Sequence, residues 1–361
     1  MPDAGTVPGI YHATPSLLVN GREQPSLAEL LQSLVVDETS EGLSRCEMTL
    51  MNWGPRNGTN TFQFFDGQVL DFGKVLAVAL GSGAGAGTVF EGRITGIEGR
   101  YLRERPPEVL VLAEDRLQDL RMRRRTRTFE NITDADLFRR VASDHGLQPD
   151  VDVTGPTHKT LAQLNQSDLA FLRERARAVD AEIWVEGTTL KAKTRARRSA
   201  GDVTLTYQQG LKEMTVLADL AGQSTGFVIS GWDVSSKDAI SYRATDAALG
   251  AELNGFKSGA SILESSFGKR DQQASHHLPV AANEAQAMAE SGFRRFARRF
   301  VTGHGVAEGD ARIRPGTKIE LKGLGSPFEG KYYVNRIRHT FEMVSGTHTS
   351  FWVERPGIGM G

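Results

Sequence analysis

The residues best suited to chemistry in this chain are arginines. Arg294, Arg295, Arg298 and Arg299 fall at i, i+1, i+4 and i+5 of the helical stretch 284–300, so they gather on one basic face near its C-terminal end. Planar guanidinium forks at that spacing suit carboxylates. The face is either solvated or meets acidic groups on a neighbouring subunit. A second basic run holds Arg121, Arg123, Arg124, Arg125 and Arg127. It has the charge for a nucleic-acid contact but no interleaved aromatic residue, and it reads as a solvated or subunit-facing segment.

The other chemically suggestive residues are explained by their neighbours. The glycine-rich run 81–87 would cradle a phosphate only if it opened a helix, yet Thr88 to Ile94 reads as a strand, so a hairpin loop is expected. Cys46 is the single cysteine, which excludes an internal disulfide and a cysteine-rich zinc site. It alternates with Met48 and Leu50 and is expected to be a buried thiol. His276 and His277 have no acid or cysteine at ligand spacing and read as surface residues. His145 sits at a helix end, where the dipole accounts for it, and Asp134 and Asp136 read as helix-start charge. Neither Gly-x-Ser-x-Gly nor His-Glu-x-x-His occurs. No catalytic residue, cofactor site or metal ligand is assigned, and the chain is not expected to be an enzyme.

The elements that position these residues follow from periodicity. Short strands are expected at 16–19, 30–36, 44–52, 69–72, 75–80, 89–97 and 109–113, with a loop at 53–58, which together make a sandwich or small barrel. Residues 115–127 form a hinge, and 128–147 a first helical unit capped by Thr133, with Leu137, Val141 and Ala142 as its apolar stripe. A second unit follows from Gln163. Ser167 can cap it, Asp168 sits at the positive end of the dipole, and Leu169, Leu172, Ala176 and Val179 form the stripe. A hairpin turning at Gly187 completes it. Strands resume at 203–207, 211–217 and 226–234. Asn283 is expected to cap the helix 284–300, whose apolar face includes Ala285, Ala289, Phe293 and Phe296. Strands at 312–314, 318–321, 331–340 and 347–353 close the chain.

Composition sets the outer limits. The 361 residues exceed one ordinary domain, and 39% hydrophobic with 24% charged residues describes a soluble globular protein. Lys and Arg total 43 against 44 Asp and Glu, a formal net charge of -1, so no bulk field favours nucleic acid or membrane. The N-terminus lacks the basic and apolar regions of a signal peptide, and no apolar run approaches the ~20 residues of a membrane span. The chain is therefore expected to be made in the cytoplasm, with no membrane insertion and no specific nucleic-acid binding.

Three segments carry a family resemblance. Gln163 to Arg173 ends in Ser167-Asp168-Leu169-Ala170-Phe171-Leu172-Arg173; Arg314 to Leu321 turns through Pro315-Gly316 into a strand; Gly330 to His339 and Thr349 to Val353 form a last hairpin. In order and spacing they resemble the baseplate hub family of contractile tails, namely phage late control D proteins and the N-terminal half of VgrG spike proteins. The resemblance spans about residues 17–356. It implies an α+β, mainly β fold with two tail-tube-like β-barrel domains, an inserted small α/β domain and a long helix. The corresponding division is 1–120 for the first barrel, 121–198 for the insert and 199–361 for the second barrel, interrupted at about 246–279 and by the helix at about 283–300. The implied function is the structural hub of a contractile injection system: a phage tail, tailocin or related particle. A homotrimer would present six barrels to a hexameric tail-tube protein above and three-fold symmetry to a spike below, in the assembled tail or virion baseplate. Neither an OB-fold nor a needle follows residue 353, so the spike is expected to be a separate protein. Arg294, Arg295, Arg298 and Arg299 are candidates for charged contacts near the trimer interface. The competing reading is a cell-wall hydrolase or protease carried at a tail tip.

Overall fold

Alternation in the first third of the chain builds a curved sheet. The computed structural model describes residues 14–56, 58–81, 86–233, 236–274 and 279–359. β1 (Ser16–Val19), β2 (Leu31–Thr39), β3 (Arg45–Met51), β4 (Val75–Leu80), β5 (Gly87–Arg100) and β6 (Glu108–Glu114) pair in the order β1–β4–β5–β6–β3–β2. Along β3, Cys46, Met48 and Leu50 are buried while Arg45 and Glu47 are exposed, as opposite-facing neighbours on a strand must be. Burial pushes the Cys46 thiol up, so it stays protonated and inert. The first and last strands of this sheet do not pair with each other. Between them in sequence lies α1 (Pro25–Leu30), which packs on β1 and β3 and buries Leu27.

Two expectations in this region need correction. The 53–58 loop is the first half of a hairpin, Trp53–Arg56 against Thr59–Phe62, held by an edge-on Trp53–Phe62 contact with ring centroids 5.2 Å apart. Residues 69–72 form no strand. Phe72 is exposed, and Lys74 Nζ donates to the carbonyls of Gly67 (2.7 Å) and Gln68 (2.6 Å), so side-chain bonds replace ladder bonds there. At the glycine-rich run, β4 and β5 pair up to Leu80–Gly87, and residues 82–85 lie outside those described.

The insert is two strand–helix units in tandem. α2 (Leu117–Arg121) leads into β7 (Arg124–Thr133), α3 (Asp134–Asp144) and β8 (Gln148–Asp152), then β9 (Thr157–Ser167), α4 (Asp168–Ala178), β10 (Ala181–Glu186) and β11 (Thr189–Thr194). The hinge at 115–127 and the helical start at 128–133 are thus corrected to a helix and a strand. β7 pairs along its length with β9, and this pairing overrides a local sequence with no apolar alternation. Thr133 accepts from the Asp136 amide (3.1 Å) and Ser167 from the Ala170 amide (3.2 Å), so each helix is capped by the residue expected. Two residues before each cap, Asn131 and Asn165 both sit at φ 49°, a left-handed turn that Asn tolerates.

The second half opens with β12 (Asp202–Tyr207) and β13 (Gly210–Ala218). The chain then leaves for a separate layer of β14 (Gly226–Asp233), β15 (Asp238–Ala244), α5 (Gly259–Phe267), β16 (Asp271–Ala274) and α6 (Ala282–Ala297). It returns as β17 (Val301–Glu308), β18 (Lys318–Lys322), β19 (Gly330–Glu342) and β20 (Gly346–Arg355). The circuit β19–β18–β12–β13–β17–β20 closes on itself as a six-stranded barrel. β14 is not one of its strands: it pairs with β15 and β16 in a sheet that packs on α6 around Ile229, Ala285, Ala289 and Phe293. Residues 312–314 form no strand, and His276 and His277 lie outside the described residues. The α6 cap also differs from expectation. The N-cap is Ala281, and Glu284 reaches back to accept the Val280 amide at 3.0 Å, while Asn283 bonds only the next amide. β2 pairs antiparallel with β19, so the open sheet runs continuously into the closed barrel. Asp37 of β2 clamps Arg336 (3.1 Å) and Arg338 (2.7 Å) of β19 across that seam.

The first-turn aspartates of the two insert helices are buried anchors. Asp168 takes His145 (2.8 Å) and Arg127 (2.9 Å), so a carboxylate as well as the dipole accounts for His145. Asp134 takes Arg175 (2.7 Å) and His158 (3.0 Å), whose other ring nitrogen meets Glu284 of α6 at 2.6 Å. Burial alone would lower the His158 pKa, but hydrogen bonds to Asp134 and Glu284 outweigh it and raise it above 6.5.

Two outcomes follow. Leu172 is fully buried in the insert core beside α4's contact with β10, so Leu172→Ala is expected to cost about 2–5 kcal/mol, read as a lower urea midpoint at unchanged slope. The His158 cluster makes stability pH-dependent. Its raised pKa gives a contribution complete below the unfolded value near 6.5 and lost as pH rises through the folded value. Asp134 and Glu284 are lowered, so their share is complete above roughly pH 4.5 and lost in acid. His158→Gln should therefore lose most stability near about pH 5.5 and least near about pH 8.5; equal losses at both would refute the network.

Candidate partner interface

The basic face of α6 does not stand alone. Ser291 of α6 accepts the Asp180 amide (3.2 Å) and donates to the Arg177 carbonyl, which docks α6 on the C-terminal end of α4. α4 carries Arg173 and Arg177 at i, i+4; Arg295 of α6 and Arg299, in the turn just past its end, stand at the same spacing. The two pairs converge on a cleft of about 270 Å³ that also reaches Glu41, Glu182, Arg195, Asn335 and Glu354. The cleft thus draws on the β2–β3 turn, the insert, α6 and two barrel strands.

Its floor is ion-paired within the chain. Arg298 is 3% exposed and donates to both Asp180 and Glu252, with Nη2 2.7 Å and 2.6 Å from their oxygens. Burial opposes its charge, but Glu252 and Asp180 prevail and its pKa rises well above the ordinary value. Arg294 bonds Glu290 (3.1 Å) and the Ala248 carbonyl (2.8 Å). Arg195 pairs with Glu354, which also accepts from Asn335 (2.7 Å), and its guanidinium lies 3.9 Å from the Tyr333 ring centroid. Arg198 reaches Glu182 (3.0 Å), which accepts the Tyr333 hydroxyl (2.5 Å).

The four arginines of α6 therefore separate. Arg298 and Arg294 have their carboxylates in this chain, which corrects the expectation of a single outward-facing group of four. Arg295 and Arg299 are exposed, and neither has a side-chain hydrogen bond or ion pair among the described residues. The Arg295 pKa is lowered by partial burial and by its neighbours Arg177 and Arg299. Arg173 is lowered mainly by burial; it donates to the carbonyls of Glu41 (2.9 Å) and Gly42 (3.0 Å). The cleft rim is thus cationic and undercompensated. Four arginines of the other basic run are partnered internally: Arg121 pairs with Glu114, Arg124 donates to the Asn165 carbonyl, and Arg125 and Arg127 reach Asp168, while Arg123 is exposed.

Sequence reasoning missed Arg173, Arg177, Glu41 and Asp180. The i, i+4 repeat on α4 was a usable signal for the first two, but only packing brings it against the repeat on α6. Among the described residues no group of three or more His, Cys, Asp or Glu is placed to hold a metal ion, and no helix is long and apolar enough to cross a membrane. His339 stands 2.9 Å from the Thr349 hydroxyl, a base-and-nucleophile geometry. Both are fully buried, and burial drops the His339 pKa to about 3, so the pair is unreachable and a poor base. Exposed guanidinium groups at the rim of the cleft are suited to binding carboxylates.

Comparison with solved structures shows the same fold elsewhere. The prophage MuSo2 43 kDa tail protein from Shewanella oneidensis is similar with a TM-score of 0.69 at 13% identity, over 95% of this chain and 98% of that one. A tail protein from Neisseria meningitidis gives 0.67 at 11% identity, over 96% and 97%. An E. coli component of the type VI secretion system gives 0.59 at 12% identity, over 94% and 76%. No curated protein matches the sequence. The family model described as the Alg8 N-terminal domain matches residues 11–342, nearly the whole described chain. The chain therefore belongs to the Alg8 N-terminal domain family.

Proposed function

We propose that this protein is a structural component of a contractile tail or injection machine, and within it the homotrimeric hub that joins a three-fold spike to a six-fold tail tube. The observation that carries the reading is the continuous sheet. Six strands of the first half form an open curved sheet that hydrogen-bonds through β2 and β19 into a closed six-stranded barrel, and we read the two as tube-like units in tandem. The fold shared with two tail proteins, one of them from a prophage, and a secretion-system component supports it. Three copies would place six such units in a ring, and a closed ring leaves no sheet edge for uncontrolled pairing. A dimer offers four units and a hexamer twelve, and neither bridges those symmetries. The proposed units are 1–120, 121–198 and 199–361, with Arg295 and Arg299 the charged residues available to a partner.

Native mass spectrometry of the purified chain and quantitative protein counting in assembled particles test this. Three copies of 39.4 kDa give about 118 kDa, and three copies per tail are expected. The isolated chain can remain monomeric until the spike binds, so the particle count decides. Any other copy number refutes the hub.

A further inference from the structure

We infer that the cleft between α4 and α6 is a receptor for carboxylates on an acidic segment of a partner polypeptide. The inference rests on the chain being an assembly component and names the chemistry of one of its contacts.

The acids within reach are already engaged. Asp180 and Glu252 hold Arg298, Glu354 holds Arg195, Glu182 holds Arg198, and Glu41 holds Arg177 at 3.0 Å. Arg295 and Arg299 have no carboxylate among the described residues, and Arg173 is held by two backbone carbonyls only. Three guanidinium groups thus share one cleft without a counter-ion, and their mutual repulsion is relieved when an anion enters. Burial is the main reason that Arg173 and Arg295 sit below the ordinary arginine range, and the neighbouring Arg177 adds to both, with Arg299 adding to Arg295.

Geometry selects the kind of anion. A cavity of about 270 Å³ admits one or two side chains. A nucleic-acid backbone instead needs an open basic track, and here Glu41 interrupts the rim. The whole chain has a formal net charge of -1, so it lacks the field that gathers polyanions. The unpaired guanidinium forks of Arg295 and of Arg299 just past α6, facing α4, match successive carboxylates on an extended peptide, each bound in bidentate fashion.

The test uses the full chain and a fluorescein-labelled hexaglutamate peptide, with anisotropy measured across a salt series. Saturable binding is expected, weakening steeply with salt. Arg295→Ala with Arg299→Ala should weaken it at least tenfold, and Arg295→Lys with Arg299→Lys should recover part of the loss, since the charge remains but the fork is gone. Arg103→Ala with Arg105→Ala, on an exposed loop away from the cleft, should leave binding unchanged. Both cleft positions are exposed, and an unchanged melting temperature confirms that the variants fold. No saturable binding, equal loss in the control pair, or tighter binding of a labelled oligothymidine would overturn the inference. So would reduced self-association of the double variant without peptide binding, which would make the occupant a second copy of this chain. Copy number in the particle is read separately, so a hub with three copies and no peptide binding would refute this inference alone.

Discussion

Arg298 is the interaction on which the arrangement of the parts depends. It closes α6, is almost fully buried, and bridges Asp180, just past α4 in the insert, to Glu252 in the layer beside the barrel. Beside it, Arg195 at the end of the insert grips Glu354 of β20. Taking such charges out of water is expensive, and apolar residues of equal volume could give comparable stability. Removing a single partner is different, because it strands a buried charge. These pairs accept few alternative geometries, so they hold the insert, α6 and the barrel at one mutual angle. We regard that as a specificity device, in the sense attested for buried polar groups elsewhere.

The insert repeats the same device internally. Each of its helices starts with an aspartate that the dipole favours and the fold buries, and each aspartate takes one histidine and at least one arginine from the rest of the insert. The left-handed Asn before each cap and the cap itself recur as well. The two halves are therefore one design used twice. The second copy is joined outward to α6 through His158 and Glu284, so the insert is coupled both to the barrel and to the layer beside it.

This coupling explains how the cleft comes to be cationic. Asp180, Glu252, Glu354 and Glu182 neutralise arginines that the junction buries, and Glu41 is taken by Arg177 at the rim. Arg295 and Arg299 at the rim, where water lowers the cost of isolated charge, have no carboxylate among the described residues. A rim of this kind is a by-product of rigid assembly and also suits a partner bearing carboxylates. Further around the barrel, Arg336 lies 4.5 Å from the Trp352 ring centroid and is tied to Asp37 across the seam.

Much of this was legible in the chain itself. Period-two alternation located β3, β4 and the closing strands, because an inward residue at every second position leaves few other registers. Ser167 and Thr133 announced their helices, since an N-cap bond is local and needs only neighbouring amides. The mainly β class and the long helix followed from the same patterns. Local sequence was silent wherever the stabilising partner is distant. β7 is polar on most of its positions and is a strand because β9 lies against it. β14 has the pattern of a barrel strand, but it pairs with β15 and β16 because the chain leaves the barrel there and packs its apolar face on α6. The arginines of α6 looked equivalent at i, i+1, i+4 and i+5. Only the tertiary contacts with Asp180 and Glu252 separate the buried Arg298 from the free Arg295 and Arg299, because a charge's role depends on what else has been removed from water beside it.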